Sequence, residues 1–147
     1  MKSLQSILFG VALREVVGTT QQEVADIQID SRKVIKGAVF VAIKGLQADG
    51  HSFIPTAIEK GAVAIICETM PEKLQGNVTY VQVVNSSKAL GIMASNYFEN
   101  PSEKLKLVAV TGTNGKTTTV TLLYQLFMEM GYQTGLLSTV ENKINWI

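Results

Sequence analysis

The stretch VAVTGTNGKTTTVTLL, residues 108–123, joins an apolar segment, a turn with two glycines and a segment of helical periodicity. Residues 107–110 predict a buried strand, and Gly112 and Gly115 allow backbone conformations that a Cβ disfavours. A helix is predicted to begin near Lys116, so the positive end of its dipole and the N–H groups of the turn point at one place. The sequence therefore predicts an anion site in this turn.

The side chains of the turn suit the phosphates of a nucleotide. Lys116 brings a positive charge towards the β- and γ-phosphates, and the Thr117 hydroxyl can ligate Mg²⁺. The common pattern G-x-x-x-x-G-K-[ST] requires glycine at position 110, where this chain has valine, so the match is to the shorter G-x-x-G-K-T. We expect ATP to contact the whole turn, which consists of Gly112, Thr113, Asn114, Gly115, Lys116, Thr117 and Thr118.

Composition favours a globular chain without a polyanionic partner. Of the 147 residues, 46% are apolar and 17% are charged, which is enough apolar material for a core. The formal net charge is +1, with Lys and Arg scattered, so nucleic acid and anionic membranes are not expected as partners. Cys67 lies in an apolar run and is expected to be a buried small hydrophobe. Neither a membrane span nor a signal peptide is recognisable, so we expect a cytoplasmic protein.

The order of the predicted elements indicates an α/β fold. Three segments are apolar without interruption, as in sheets covered on both faces; they are GAVFVAIKG (37–45), AVAIICE (62–68) and VTYVQVV (78–84). The polar segment ENPSEK, residues 99–104, resembles a linker, and a strand–turn–helix–strand pattern follows it. We therefore predict a small N-terminal α/β domain, followed by the first strand, phosphate loop, helix and strand of a parallel-sheet domain. On that helix the stripe expected to form core contains Leu122, Leu123, Leu126, Phe127 and Met130.

The turn TGTNGKTTT after an apolar strand resembles the ATP loop of the Mur ligase family, which builds the bacterial peptidoglycan precursor. That loop lacks the upstream glycine, and alone it would also fit folylpolyglutamate synthases. Residues 29–68, beginning IDSRK, resemble the uridine-nucleotide-binding domain of the MurE type. The MurF type shares D-[ST]-R…DGH but usually has serine where this chain has Thr113, and it lacks an equivalent of STVENKI (138–144). It stays as an alternative.

The resemblance implies an ATP-dependent amide ligase of peptidoglycan synthesis. Its substrates would be UDP-N-acetylmuramoyl-L-alanyl-D-glutamate and a diamino acid, either meso-diaminopimelate or L-lysine, joined through an acyl phosphate. ATP and Mg²⁺ would be required, with Lys116 as the catalytic residue and Thr117 holding the metal. The residues implied to contact the uridine diphosphate end are Ile29, Ser31, Leu46, Gln47 and Ala48.

The polar residues near those positions can be explained by structural roles alone. Asp30 and Arg32 can pair with each other or with neighbouring residues, and Asp49, Gly50 and His51 are typical of a turn that leads into a helix. His51 is the only histidine in the sequence. Without a second ligand nearby it is a poor candidate for binding metal.

The length after the turn is short for a nucleotide-binding domain. Residues 112–147 suffice for one βαβ unit, whereas such a domain has ~150 residues. We therefore expect a complete uridine-nucleotide domain over 1–100 and the beginning of a central ATP-binding domain over 101–147. In this interpretation the chain alone binds ATP poorly, lacks ligase activity and exposes apolar surface that promotes self-association. A free-standing, non-catalytic module for UDP-nucleotides or nucleoside triphosphates is the alternative.

Overall fold

The structure, a computed structural model, describes residues 2–45 and 48–145. It divides into two compact units, an N-terminal unit (Met1–Lys104) and a C-terminal unit (Leu105–Ile147). No helix within the described ranges is long and apolar enough to cross a bilayer.

The N-terminal unit is built around a mostly parallel five-stranded sheet. Its elements are β1 (Lys2–Ser3), α1 (Leu4–Ile7), β2 (Leu13–Val17), β3 (Glu23–Val24), β4 (Asp26–Gln28), β5 (Ala38–Val41), α2 (Ile54–Glu59), β6 (Ala64–Cys67), β7 (Thr79–Val83) and α3 (Ser86–Tyr97), with 3₁₀ turns at Ser31–Lys33, Gly50–Phe53 and Pro101–Lys104. The strand order is β2-β7-β6-β5-β4. Strands β4 to β7 are parallel, β2 is an antiparallel edge, and β1 pairs separately with β3. The predicted α/β class is therefore confirmed, and the mostly parallel sheet lies in this N-terminal unit.

Both faces of this sheet are buried, which explains the uninterrupted apolar strands. Alternate residues of a strand point to opposite faces. Val39 and Val41 of β5 belong to a core cluster that also contains residues of α1 and α3. Phe40 of the same strand lies in a second cluster with Tyr80 and residues of α2. Cys67 is fully buried in that second cluster, as its apolar context predicted.

Local signals fix where the helices begin and end. Pro55 occupies the first turn of α2, where its missing N–H is no loss. Gly61, with a φ of +95°, follows the helix and donates its N–H to the carbonyl of Ile58 at 2.9 Å. Asn85 caps α3, because its Oδ1 accepts the N–H of Lys88 at 2.8 Å.

The C-terminal unit has few elements and a small core. It contains α4 (Lys116–Glu129), β8 (Gly135–Leu137) and β9 (Asn142–Ile144), and the two strands form an antiparallel pair. Its buried apolar cluster consists of Tyr124, Met128 and Leu136, with Val120 packed against it.

The strand predicted over residues 107–110 is wrong for this structure. Residues 106–110 belong to no strand, and the side chains of Leu107 and Val108 are 72% and 62% exposed. A strand forms only where a neighbouring strand accepts and donates backbone hydrogen bonds, and β8 and β9 pair with each other instead. Residues 106–108 and 135–137 line one groove together with α4.

The core stripe predicted on α4 is also only partly correct. Leu122, Leu126 and Met130 are exposed, whereas Leu123 and Phe127 are half-buried. The buried face contains Val120, Tyr124 and Met128 at intervals of four residues. Apolar residues surround this helix on both sides, so their spacing alone did not show which side is covered.

Candidate functional site

Both glycines of the turn before α4 have a backbone conformation with positive φ, which favours glycine. Gly112 and Gly115 have φ values of +149° and +77°. A Cβ at Gly115 would meet no atom within 4 Å, and one at Gly112 would meet only the carbonyl oxygen of Asn114 at 3.9 Å. The requirement for glycine at these positions therefore comes from the backbone dihedral angle and not from lack of space.

The N–H groups of the turn lack acceptors within the described part of the chain. The first backbone hydrogen bond of α4 runs from the N–H of Thr119 to the carbonyl of Gly115, at 2.9 Å. No N–H of residues 112–118 donates to a described acceptor. These groups precede or begin a 14-residue helix, where the macrodipole is positive. The turn therefore offers a run of free donors to an anion.

Lys116 lies over this turn. Its Nζ donates hydrogen bonds to the carbonyl oxygens of Gly112 and Thr113. The ammonium therefore sits beside the free N–H groups and can exchange its carbonyl acceptors for phosphate oxygens without unfolding the turn. The predicted residues 112–118 are brought together, and all but half-buried Thr117 are exposed.

A second group of predicted residues belongs to the N-terminal unit. The four parallel strands end at Gln28, Val41, Cys67 and Val83. The carboxyl ends of parallel strands share one edge of a sheet, where ligands of α/β proteins bind. Ile29 and Ser31 follow β4, and Ala48 lies in the loop after β5. Leu46 and Gln47, also predicted to bind the uridine nucleotide, lie outside the described residues.

Ser31 is held in place by its neighbours. Asp30 caps the 3₁₀ turn, because its Oδ1 accepts the N–H of Arg32 at 3.0 Å. The Arg32 guanidinium also donates to both oxygens of Asp30, at 2.9 and 2.8 Å. These contacts confirm the predicted pairing, and they lower the pKa of Asp30 to about 2. The Ser31 residue is only 8% exposed, yet its hydroxyl bonds to no described group, whereas the Ile29 side chain is 55% exposed.

The loop after β5 returns on itself at its base. The N–H of Gly45 bonds to the carbonyl of Ala48 at 3.0 Å, and the N–H of Gly50 bonds to the carbonyl of Ile43 at 2.9 Å. A Cβ at Gly50 would lie 2.7 Å from two backbone atoms of Ile43. Glycine at this position therefore permits the close approach that closes the loop.

Asp49 and His51 form the predicted turn into a helix. The Oδ1 of Asp49 accepts hydrogen bonds from the N–H of His51 at 3.0 Å and from its Nδ1 at 2.6 Å. These bonds lower the pKa of Asp49. The His51 Nε2 accepts the N–H of Glu68 at 3.0 Å and that of Thr69 at 3.3 Å. Because Nε2 accepts, the imidazole is assigned as the neutral tautomer with its proton on Nδ1.

The contact from His51 to the end of β6 was missed by sequence reasoning. Glu68 continues the network, since its Oε1 accepts the N–H and the hydroxyl of Ser86 at 2.8 and 2.9 Å. These hydrogen bonds lower the pKa of Glu68. Local patterns gave no signal for contacts across 17 or 18 residues. Among the described side chains no group of three or more His, Cys, Asp or Glu could hold a metal ion.

Two family descriptions match this chain. "Mur ligase family, catalytic domain" covers residues 23–98, and "Mur ligase middle domain" covers residues 110–146.

Individual proteins give the same result. The chain is 55% identical over 142 residues to UDP-N-acetylmuramoyl-L-alanyl-D-glutamate–2,6-diaminopimelate ligase of Cytophaga hutchinsonii, covering 96% of this chain and 29% of that protein. A solved structure named for the same ligase activity aligns with a TM-score of 0.75 at 27% identity, over 97% of this chain and 28% of the other. A MurF ligase of Thermotoga maritima in complex with ADP aligns with a TM-score of 0.55 at 33% identity, over 74% and 24%.

These matches cover most of this chain but only part of each relative. The chain spans about 29% of the length of the curated relatives it matches. Within that span, one family description alone covers more than half of its residues, and the second covers most of the remainder. The chain belongs to the Mur ligase family.

Proposed function

We propose that the turn at residues 112–118 binds the terminal phosphates of ATP. The observation that carries the proposal is the run of N–H groups without described acceptors at the start of α4, with the Lys116 ammonium beside them. Oriented backbone donors, a helix N-terminus and a fixed positive charge each favour an anion. The relative solved with ADP supports a nucleotide as that anion.

The second part of the proposal concerns the carboxyl edge of the parallel sheet. Ile29, Ser31, Leu46, Gln47 and Ala48 would contact the uridine diphosphate end of UDP-N-acetylmuramoyl-L-alanyl-D-glutamate. Most of the Ser31 residue is buried, but its hydroxyl has no described partner and is open to solvent, because no buried polar side-chain atom of the described residues lacks a partner. It can therefore donate to a phosphate or uracil oxygen. The exposed side chain of Ile29 offers apolar area beside it. Residues 1–100 would thus form the uridine-nucleotide domain, and residues 101–147 would begin the ATP-binding domain.

The complete enzyme would join a diamino acid to this substrate. An oxygen of the D-glutamate carboxylate attacks the γ-phosphorus of ATP, the bond to ADP breaks, and an acyl phosphate forms. The amine of the diamino acid attacks the acyl carbon, loses a proton and expels inorganic phosphate as the amide forms. Negative charge accumulates during the first step, and Lys116 would stabilise it there.

Mg²⁺ fits the turn as a metal held mainly by the nucleotide. Thr117 supplies one neutral hydroxyl oxygen, so the metal would take its other oxygens from phosphates and water. Bound there, Mg²⁺ would neutralise negative charge on the phosphates.

The names of the relatives support one of the two diamino acids. The curated relatives from Cytophaga, Phocaeicola and Bacteroides species are all named for 2,6-diaminopimelate. We therefore favour meso-diaminopimelate over L-lysine, and the MurE type over the MurF type. A cytoplasmic location and self-association of the chain stay predictions, the latter to be checked by sedimentation velocity.

Calorimetric titration of the full-length enzyme with Mg-ATP and, separately, with UDP tests the two sites. Lys116→Met should weaken Mg-ATP binding at least about tenfold, because a charged hydrogen-bond donor is lost. The same variant should leave UDP binding unchanged. Lys106→Met is the matched control, since Lys106 is an exposed lysine of the same unit. Equal effects of the two substitutions on Mg-ATP binding would contradict the phosphate site.

Activity is tested on the full-length enzyme. We expect phosphate release that requires the UDP-linked dipeptide, meso-diaminopimelate and ATP together. Lys116→Met should lower kcat about 10²-fold or more, the usual effect of losing one stabiliser of transition-state charge. The 147-residue chain alone should release none. A full-length protein that binds both nucleotides but never forms the amide would favour the non-catalytic module.

A further inference from the structure

The imidazole of His51 links two loops at the carboxyl edge of the sheet. Its side chain is only 18% exposed, and both ring nitrogens are engaged. Nδ1 donates to Asp49 in the loop after β5, and Nε2 accepts from Glu68 and Thr69 at the end of β6. A single side chain therefore ties the loop after β5 to the end of β6, beyond the point where the two strands pair with each other.

The contact continues towards a third strand end. The Glu68 backbone approaches His51, while its carboxylate holds the N–H and hydroxyl of Ser86 at the start of α3. The Glu68 carbonyl also accepts from Nε2 of Gln82 in β7 at 2.9 Å. Ser86 is completely buried. The ends of β5, β6 and β7 are therefore joined by one hydrogen-bond network.

The network reaches the base of the loop after β5. The Asp49 carboxylate accepts a hydrogen bond from the His51 ring. The backbones of Asp49 and Lys44 form an isolated antiparallel β-bridge across that base. Ala48, next to Asp49, is tied to Gly45 at 3.0 Å. The positive charge of Lys44 also lowers the pKa of both Asp49 and Glu68. The position of Ala48 thus depends on where the imidazole holds Asp49.

We propose that His51 is a positioning residue of the uridine-nucleotide site: as a neutral imidazole protonated on Nδ1, it fixes the base of the loop after β5 against the end of β6. The proposal rests on the proposed function of the N-terminal unit. His51 need not touch the nucleotide. Its effect on affinity is exerted through Asp49 and Ala48, because a loop already held in its binding conformation loses less entropy on binding.

Two substitutions of His51 distinguish the contact made by Nδ1 from the contacts made by Nε2. In His51→Gln, the amide oxygen can replace Nε2 as the acceptor for Glu68 and Thr69. In His51→Asn, the shorter amide can still donate to Asp49 but does not reach the end of β6. We expect His51→Asn to weaken UDP binding about tenfold, the effect of losing two hydrogen bonds that position the loop. His51→Gln should stay within about threefold of the wild type.

Tyr97→Phe is the control for stability alone. It removes a hydrogen bond of 2.6 Å from the Tyr97 hydroxyl to the carbonyl of Ala25, just before β4 begins and so at the opposite edge of the sheet. It should lower the melting temperature without changing UDP affinity. His51→Asn should lower both. If His51→Asn and Tyr97→Phe have the same effect on UDP affinity, the positioning role is refuted.

The tautomer is measured directly on the wild type. Because His51 is the only histidine, the imidazole ¹⁵N spectrum contains the signals of one ring. We expect a protonated Nδ1 and an unprotonated Nε2 at neutral pH. A proton on Nε2 would overturn the proposal even if a variant fails to fold. Absence of UDP binding by the wild type would overturn the proposed function together with this inference. Tight UDP binding with no difference among the His51 variants would overturn only the inference.

Discussion

The two units contain similar apolar segments and bury them to very different extents. In the N-terminal unit, β5 and β6 are fully buried, because strands flank both edges and helices cover both faces. In the C-terminal unit, the equally apolar residues 107–110 form no strand, and the buried cluster has three members. The difference teaches that apolar composition gives a segment the capacity to pair, whereas neighbouring strands decide whether it does.

The largest expected difference lies in local stability. Amides of β5 and β6 should exchange with solvent only on global unfolding, whereas those of residues 106–110 lack partners among the described residues and should exchange near the rate of an unstructured chain. We expect protection factors to differ by about 10³-fold or more. Native-state hydrogen exchange followed by NMR measures both in one sample. Strong protection at residues 107–110 would show that a strand forms there after all.

The second-largest difference is expected in the free energy of unfolding after a side chain is truncated in each unit. Ile66→Ala removes a fully buried side chain of β6 and should destabilise the N-terminal unit by about 2–5 kcal/mol. Leu126→Ala is the matched change on the exposed side of α4 and should alter stability by less than about 0.5 kcal/mol. Urea unfolding monitored by amide signals from each unit gives the two values. A large loss from Leu126→Ala would mean that this side of the helix is covered in solution.

Sequence patterns predicted strands that are buried on both faces and turns that are specified by adjacent residues. The uninterrupted apolar segments around β5 and β6 predicted buried strands, and the two glycines before Lys116 predicted a turn into a helix. Cys67 was predicted to be buried for the same reason, and burial raises the pKa of its thiol to about 11. In each case the chain within a few residues contained the information.

Patterns failed where the outcome depends on a distant partner. Residues 107–110 have the composition of a strand but lack a paired neighbour among the described residues. The apolar side chains of α4 surround it, so a 3.6-residue period did not identify the covered face. The bond from His51 to Glu68 joins residues 17 apart whose proximity is created by the sheet. Whether Ser31 and Lys116 bind nucleotides stays a prediction.

A backbone effect of intermediate size distinguishes the glycines of the two units. Gly115 has a φ of +77°, so Gly115→Ala should destabilise the start of α4 by about 1–2 kcal/mol. Gly91 lies within α3, and a Cβ added there would meet no described atom within 4 Å, so Gly91→Ala should stabilise that helix by about 0.5–1 kcal/mol. Opposite signs, measured by amide-resolved urea unfolding, are the expected result. A neutral Gly115→Ala would indicate that the turn adopts another conformation in solution.

The smallest effect concerns how firmly polar groups are held beside the candidate sites. In the N-terminal unit, hydrogen bonds from Arg32 lower the pKa of Asp30 to about 2, so their stabilising contribution is present above the ordinary pKa of 3.8 and is lost as the pH falls through about 2. Arg32→Gln should raise the pKa of Asp30 towards 3.8, although the backbone N–H of residue 32 still donates. Lys33→Gln is the control, because Lys33 acts on Asp30 only through its charge and should shift the pKa less. Carboxyl ¹³C shifts followed against pH measure both variants. Equal shifts would mean that charge alone, and not the two-point contact with the guanidinium, holds Asp30 beside Ser31.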